Sequence, residues 1–368
     1  MRSVTAVTVV ANRLAYRCDN WFTAAVSHAV SHAAHEGAPA DQLGSHGAIR
    51  PFEPAIAAAQ RKPHLRPQVG EFGAVGPVER GVRESDREPP RASPDSAYRY
   101  VWRMKTALLG TGGMGAAIAA RLAATDEDVT VWNRSADRAA PLSAAGVAVA
   151  SSPEEAVRDA EIVLVMVSDA TAVQAVLDRA GPALRDGACV VQMSTIAPEQ
   201  VSGLTLPPGI RLVDAPVGGS VDAAREGRLT VLAGADAEAL ALATPVLEKL
   251  GTIRHCGPVG AGSALKLVLN SSLVTALASL ADVLAVADSV GVSRETALDA
   301  LSAGPLGAII KRARSTTAHF PISLALKDIR LALAELGDRP APVARAAAET
   351  FAGAKDQGAD VGAVAGLD

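Results

Sequence analysis

The segment Gly110-Thr-Gly112-Gly-Met-Gly115 constrains this 368-residue chain more than any other feature. It follows directly on the short apolar run Lys105–Leu109 and leads directly into the alanine-rich run Ala116–Ala124. The first run has the length of a strand and the second the composition of a helix, so the glycines must turn the chain sharply between them. Gly110 permits the tight turn, Gly112 lets a pyrophosphate approach the backbone, and Gly115 lets the helix pack closely on the strand. The free N–H groups and the positive end of the helix dipole then face an anion. A second strand, Val129–Trp132, follows, and this strand–turn–helix–strand context makes the glycine pattern specific for a dinucleotide. Gly110, Gly112, Gly113, Met114 and Gly115 are therefore the expected cofactor residues of the turn.

The end of the second strand selects the cofactor. An acidic residue there would accept hydrogen bonds from a ribose 2′-hydroxyl; this chain has Asn133-Arg134-Ser135 instead. A neutral amide beside a guanidinium suits a 2′-phosphate, so NADP is expected, with NAD as the alternative. The alternation of elements continues. Glu161–Val167, Cys189–Met193, Arg211–Asp214 and Leu229–Ala233 read as strands, and Ala172–Arg179 reads as a helix. That alternation predicts an α/β fold with a doubly wound parallel sheet, whose ligands bind beyond the strand C-termini. Ser168, Ser194 and Thr195 fall there, although capping a turn or helix is the commoner task of such residues.

Beyond Gly262 the pattern changes. Ser263–Val290 contains no proline or glycine, and Gly291 suits a helix stop. A helix of about 28 residues spans roughly 40 Å. It is apolar nearly all round, which predicts burial on most sides. Lys266 interrupts the apolar run, and Asn270 lies one turn along on the same face. A lysine held in an apolar setting has its charged form disfavoured, which suits it to proton transfer near neutral pH. Asn270 can position that ammonium or a substrate oxygen. The competing reading is a lysine that snorkels from the helix start to water.

Composition bounds the rest. Hydrophobic residues make up 49% and charged residues 20%, enough for a sizeable core, and the net charge of −4 gives no basic surface for nucleic acid. No window reads as the roughly 20 apolar residues of a membrane span. Cys18, Cys189 and Cys256 form neither a disulfide framework nor a metal-binding spacing, which fits a reducing, cytoplasmic setting with no metal. Eight of the eleven aromatic residues precede Met104. Residues 1–103 carry 13 Lys+Arg against 10 Asp+Glu, leaving 22 against 29 for the remainder. The Pro-, Arg- and Glu-rich stretch 61–103 has no sustained period and is expected to be disordered; a short helix is expected over 20–37, where His28, His32 and His35 share a face. An over-extended reading frame, with Met104 as the real start, is a further reading of this segment.

From Met104 onward the chain resembles the β-hydroxyacid dehydrogenases, the group of 3-hydroxyisobutyrate dehydrogenase and tartronate semialdehyde reductase. Six motifs carry the resemblance in order: the glycine turn with Met114, Asn133-Arg134-Ser135, Ser194–Pro198, Asp214–Val217 with Gly218-Gly219-Ser220, Gly260–Lys266 with Asn270, and Phe320 through Lys327-Asp328. The resemblance implies a Rossmann domain over 104–262 and an all-helical domain over 263–368 that forms a homodimer or homotetramer. It implies Lys266 and Asn270 as catalytic residues and Lys327 as a cofactor contact. Ser194, Gly218, Gly219 and Ser220 are implied substrate contacts, and the substrate a small-molecule carbonyl or hydroxy acid. The implied reaction is hydride transfer between NADPH and a small semialdehyde or keto acid, with Lys266 as proton donor or acceptor. Departures concentrate in the substrate loop: relatives of this group usually place serine where Gly218 stands, and many place asparagine three rather than four residues after the lysine. An imine reductase on the same scaffold and a catalytically silent NADP-binding protein are the alternatives; imine reductases usually replace the lysine, so Lys266 argues against the first.

Overall fold

The structure, a computed structural model, describes residues 103–315 and 319–367. The expectations of disorder over 61–103 and of a histidine-bearing helix over 20–37 thus fall, but for Arg103, outside the described residues. The glycine turn folds as its sequence dictates. Strand β1 (Lys105–Leu109) enters it and helix α1 (Gly113–Ala123) leaves it. Gly110 has φ +106°, and a Cβ there would lie 2.2 Å from the Met166 carbonyl oxygen. A Cβ on Gly115 would lie 2.0 Å from the Gly110 carbonyl oxygen, so the helix packs on the turn only because both residues lack side chains. Gly112 differs: a Cβ there meets nothing within 4 Å.

The chain continues through β2 (Asp128–Trp132), α2 (Ala140–Ser143), β3 (Ala148–Val149), α3 (Pro153–Val157), β4 (Ile162–Val165), α4 (Ala170–Ala180), β5 (Cys189–Gln192), α5 (Pro198–Ser202) and β6 (Arg211–Asp214). These six strands pair in parallel in the order β3-β2-β1-β4-β5-β6. The order reverses between β1 and β4, the place where such sheets bind ligands. Alternating residues of each strand feed opposite faces. Leu108, Val131 and Leu164 pack with Ile118 and Leu122 of α1, whereas Leu109, Val163 and Val165 pack with Val173 and Leu177 of α4.

After β6 come β7 (Val217–Gly218), α6 (Val221–Arg225), β8 (Leu229–Gly234), α7 (Ala237–Leu250) and β9 (Gly251–Gly257). Strand β8 runs antiparallel to β6 and β7, and β9 pairs parallel with β8. The periodicity did not reveal β3, β7 or β9. The first two are only two residues long, and β9 carries Arg254 and His255 on a largely exposed edge.

The helical half consists of α8 (Ala261–Ser289), α9 (Arg294–Ser302), α10 (Gly307–Ala313), α11 (Ile322–Leu336) and α12 (Pro342–Ala352), with a short 3₁₀ turn at Val361–Ala365. Helix α8 is the axis of this half. Its Val274, Leu277, Leu280 and Leu284 meet Ile322 and Ile329 of α11 and the fully buried Phe351 of α12. Two expectations are corrected here. First, α8 is not buried on most sides: Val268, Leu269 and Val286 are 64%, 46% and 61% exposed. A stripe apolar all round does not say which face its own chain covers. Second, α8 does have the length and mean hydropathy (1.7) of a membrane span. Lys266, Asn270 and scattered serines break the run, but Leu, Val and Ala around them still hold the mean of an 18-residue window at that level. Its packing against α11 and α12 makes it the core helix of the domain.

Asp360 pins the start of α11. Its carboxylate accepts both ends of the Arg312 guanidinium at 2.8 and 3.0 Å, together with the backbone N–H groups of Phe320 (2.8 Å) and Gly362 (2.9 Å). Burial pushes this carboxyl up, but the Arg312 fork and the two N–H groups outweigh it and hold the group below its ordinary value. Asp360→Ala should therefore lower unfolding stability by about 2–4 kcal/mol in urea titrations. Because the folded value is lowered, the contribution of Asp360 is complete above the unfolded carboxylate range and fades as pH falls through the folded value. Asp360→Asn should accordingly flatten the acid limb of stability against pH. In the glycine turn, Gly115→Ala should cost about 3 kcal/mol or more, whereas Gly112→Ala should leave the urea midpoint unchanged. Equal losses in the two variants would show that the turn does not depend on the close approach at Gly115.

Candidate active site

The loops after β4 and β5 meet the middle of α11, where Asp169, Thr195 and Lys327 share one cavity, and the start of α8 rests on the ends of β6 and β8. Both halves belong to one compact unit. Helix α1 is preceded by Gly112 with no side-chain cap, so its first N–H groups are left open. Gly113 is exposed beside it, and Met114 packs partly into the core. Asn133 braces this turn: its Oδ1 accepts from Thr111 N at 3.0 Å and its Nδ2 donates to Ser135 O at 2.9 Å. The amide expected to meet a 2′-phosphate thus locks the β2 loop to the glycine turn. Arg134 and Ser135 are exposed, and Arg134 lines a cavity of about 230 Å³ at the end of β2.

Ser194 is placed otherwise than expected. It is 1% exposed; its hydroxyl accepts from Val167 N at 2.9 Å and donates to Val165 O at 3.4 Å. Gln192 secures it further, accepting from Ser194 N and donating to Ser194 O. Ser194 therefore shapes the loops after β4 and β5 and presents no hydroxyl to a substrate. Ser168 is exposed, and its hydroxyl donates to Asp169 at 2.6 Å. That bond and the Ala172 N–H hold the Asp169 carboxyl below its ordinary value against the effect of burial, with Lys327 adding to them.

Lys327 crosses from the helical half to the sheet. Its ammonium donates to the Thr195 carbonyl oxygen and stands 2.7 Å from Asp328 Oδ1. Asp169, Thr195, Gln200 and Lys327 line a second cavity of about 160 Å³. Asp328 is 2% exposed, and its Oδ2 accepts from Asn270 Nδ2 at 2.5 Å. Asn270 was expected to hold Lys266 or a substrate oxygen; its amide is instead turned to Asp328. Lys266 is half-buried, and among the described residues it has no hydrogen-bond or ion-pair partner. Burial pushes its ammonium below the ordinary lysine value, the Asp328 carboxylate opposes that shift, and Lys327 adds to it. Asp328 is thus a site residue that the sequence showed only as a neighbour of Lys327. One signal could have found it: α11 carries Lys327-Asp328 opposite the Lys266–Asn270 face.

Asp214 fixes where Lys266 stands. This fully buried carboxylate at the end of β6 accepts from Ser263 N and Ser263 Oγ, both at 2.7 Å. Burial nevertheless leaves its pKa raised. A Cβ on Gly262 would lie 2.1 Å from the Leu232 carbonyl oxygen, so the helix start rests directly on β8. Gly218 ends β7, and a Cβ there would approach nothing closer than 3.8 Å. Gly219 turns the chain with φ +128°. The Ser220 hydroxyl accepts from Ala223 N at 3.1 Å, capping α6, so its acceptor side is already committed.

Comparison with known proteins agrees with this architecture. Residues 105–260 match the model of the NAD-binding domain of 6-phosphogluconate dehydrogenase. Residues 260–366 match that of the NAD-binding region of NADP-dependent 3-hydroxyisobutyrate dehydrogenase. Glyoxylate/succinic semialdehyde reductase 1 of Arabidopsis thaliana is 32% identical over 272 residues, covering 69% of this chain and 94% of the relative. A solved Mycobacterium tuberculosis 3-hydroxyisobutyrate dehydrogenase with L-serine superposes with TM-score 0.63 at 27% identity, over 72% of this chain and 98% of that one. The solved Psf3 complex with NADP+ and 2-OPP superposes with TM-score 0.64 at 27% identity, over 71% and 99%. With the sheet order, the glycine turn and these matches together, the chain belongs to the β-hydroxyacid dehydrogenase family of NAD(P)-dependent oxidoreductases acting on CH–OH groups.

Proposed function

We propose that this protein transfers hydride between NADPH and a small carbonyl acid, reducing a semialdehyde or keto acid or oxidising the matching hydroxy acid, with Lys266 as the proton donor or acceptor. The observation that carries this reading is Lys266 itself: a half-buried ammonium with lowered proton affinity and no partner among the described residues, one helical turn from the Asn270–Asp328 contact. When bound, the nicotinamide supplies the hydride. The chain supplies a seat and a proton. The open N–H groups of α1 and the approach left free at Gly112 fit a pyrophosphate, and the exposed Arg134 fits a 2′-phosphate. The protonated Lys266 Nζ gives its proton to the substrate carbonyl oxygen during reduction and takes it back in the reverse direction. Asn270 and Lys327 both engage Asp328, which places a fixed negative charge behind the two lysines.

The substrate class is supported by the relatives' printed names, a glyoxylate/succinic semialdehyde reductase and a 3-hydroxyisobutyrate dehydrogenase seen with L-serine; NADP is supported by the Psf3 complex with NADP+. In this reading the substrate carboxylate meets the backbone around Gly218 and Gly219. The exposed Val268, Leu269 and Val286 stripe of α8 is covered by a second copy of the chain, making the working unit at least a dimer.

Lys266→Ala should abolish reduction of glyoxylate and succinic semialdehyde while NADPH binding, followed by fluorescence titration, stays within about twofold; retained turnover would sink the proton-transfer role. Arg134→Ala should weaken NADPH by about tenfold and NADH hardly at all; equal losses would remove the 2′-phosphate assignment. The pH dependence of reduction also has a defined sign. Reduction needs Lys266 protonated, so the rate falls as pH rises through its pKa. Asp328 holds that pKa up while Lys327 and burial lower it, so Asp328→Asn should move the falling limb of kcat/KM to lower pH.

A further inference from the structure

A second arginine faces the cavity that Arg134 lines. Arg179 reaches it from the last turn of α4, and the wall between them includes Trp132 and Ser151. Its guanidinium stands over the Trp132 ring, 5.6 Å from the centroid. Its Nε and Nη2 donate to the two carboxylate oxygens of Glu154, at 3.2 and 3.3 Å, in a two-pronged pair. Glu154 lies in the first turn of α3, and both side chains are open to solvent, 54% exposed for Arg179 and 36% for Glu154. An ion pair in that setting adds little to stability, because water screens it and two long side chains must be held in one geometry. The contact with Trp132 does not depend on Glu154 and keeps the guanidinium at the cavity wall when the ion pair opens.

A phosphate monoester carries close to two negative charges near neutral pH and three acceptor oxygens. It matches the guanidinium fork as well as a carboxylate does and carries more charge. Building on the assignment of Arg134 to a 2′-phosphate, we propose that Arg179 is a second cationic ligand of that phosphate and that Glu154 is its exchangeable counter-ion. A cofactor that ends in a plain 2′-hydroxyl leaves the Glu154–Arg179 pair in place and gains nothing from Arg179. A 2′-phosphate has the charge to displace the carboxylate, so Arg179 adds to the discrimination between NADP and NAD beyond whatever Arg134 contributes, while Glu154 tempers that gain. Glu154 then works against the phosphate: it occupies the fork and repels the incoming dianion.

The test is calorimetric binding of 2′,5′-ADP and 5′-AMP to the full chain, with thermal melting as a check on folding. Arg179→Met keeps an unbranched side chain to lie on Trp132 and removes the fork. It should weaken 2′,5′-ADP by about tenfold and 5′-AMP by less than about twofold. Glu154→Gln should tighten 2′,5′-ADP by a few-fold and leave 5′-AMP unchanged. A purely structural ion pair predicts the opposite for Glu154→Gln, a loss parallel to that of Arg179→Met, and that outcome would overturn the proposal. Unchanged 2′,5′-ADP binding in Arg179→Met would do the same. Arg134→Ala separates the two levels: if it weakens 2′,5′-ADP while Arg179→Met does not, the phosphate assignment stands and only the role of Arg179 falls. If neither variant affects 2′,5′-ADP, the 2′-phosphate assignment falls and the proposal with it.

Discussion

The buried carboxylate of Asp214 sets the geometry on which the rest of the site depends. A helix begins with N–H groups that have no partner within it, and burying them unpaired is costly. Helix α8 begins at Gly260 in a left-handed conformation with no side-chain cap of its own. Asp214, at the end of β6, supplies the missing acceptor to Ser263, and Gly262 lets the helix come down onto β8 without a side chain between them. The sheet therefore dictates where α8 starts and how it is rotated, and Lys266 stands one turn further on. Helix α8, which carries Lys266, is thus anchored directly to the sheet.

The charges around that point form one connected group. Lys266 and Lys327 come from different helices, and Asp328 lies between their influence, held by Asn270. Burial disfavours the charged form of Lys266; the Asp328 carboxylate opposes that shift and Lys327 adds to it. Lys327 also donates to the carbonyl oxygen of Thr195, tying α11 to the loop after β5. The same side chain therefore acts on the electrostatics and on the relative placement of the two halves. Asp360 plays a supporting part at the other end of this arrangement: with Arg312 it fixes Phe320, the residue from which the chain turns into α11.

Much of this was legible in the sequence because the relevant constraints are local. The glycine turn needs Gly110 and Gly115 for reasons internal to a strand–turn–helix unit, and the alternation of apolar strands and helices specified the doubly wound sheet. Lys266 stood out because a charge inside an apolar helical run has few explanations. Other features hid because they are relations between distant segments. Ser194 looked like a loop hydroxyl near a ligand, yet its bonds to Val165 and Val167 make it part of the sheet's end. Asn133 looked like part of the 2′-phosphate site, and its amide also braces the glycine turn through Thr111 and Ser135. Asn270 shares a helix face with Lys266, but its partner, Asp328, is 58 residues away.

The exposed stripe of α8 shows the same division. Composition made the helix apolar on every side, and only the packing of α11 and α12 shows which side this chain covers and which it leaves bare. The sequence by itself determined the dinucleotide turn, six of the nine strands among the described residues and the lysine set in an apolar helix, because each follows from spacing and side-chain chemistry within one segment. Only the tertiary structure decided that Asp214 seats α8, that Asp328 joins Asn270 to Lys327, and that Arg179 shares a cavity with Arg134. Those contacts join residues far apart in the chain, where no local propensity or period records them.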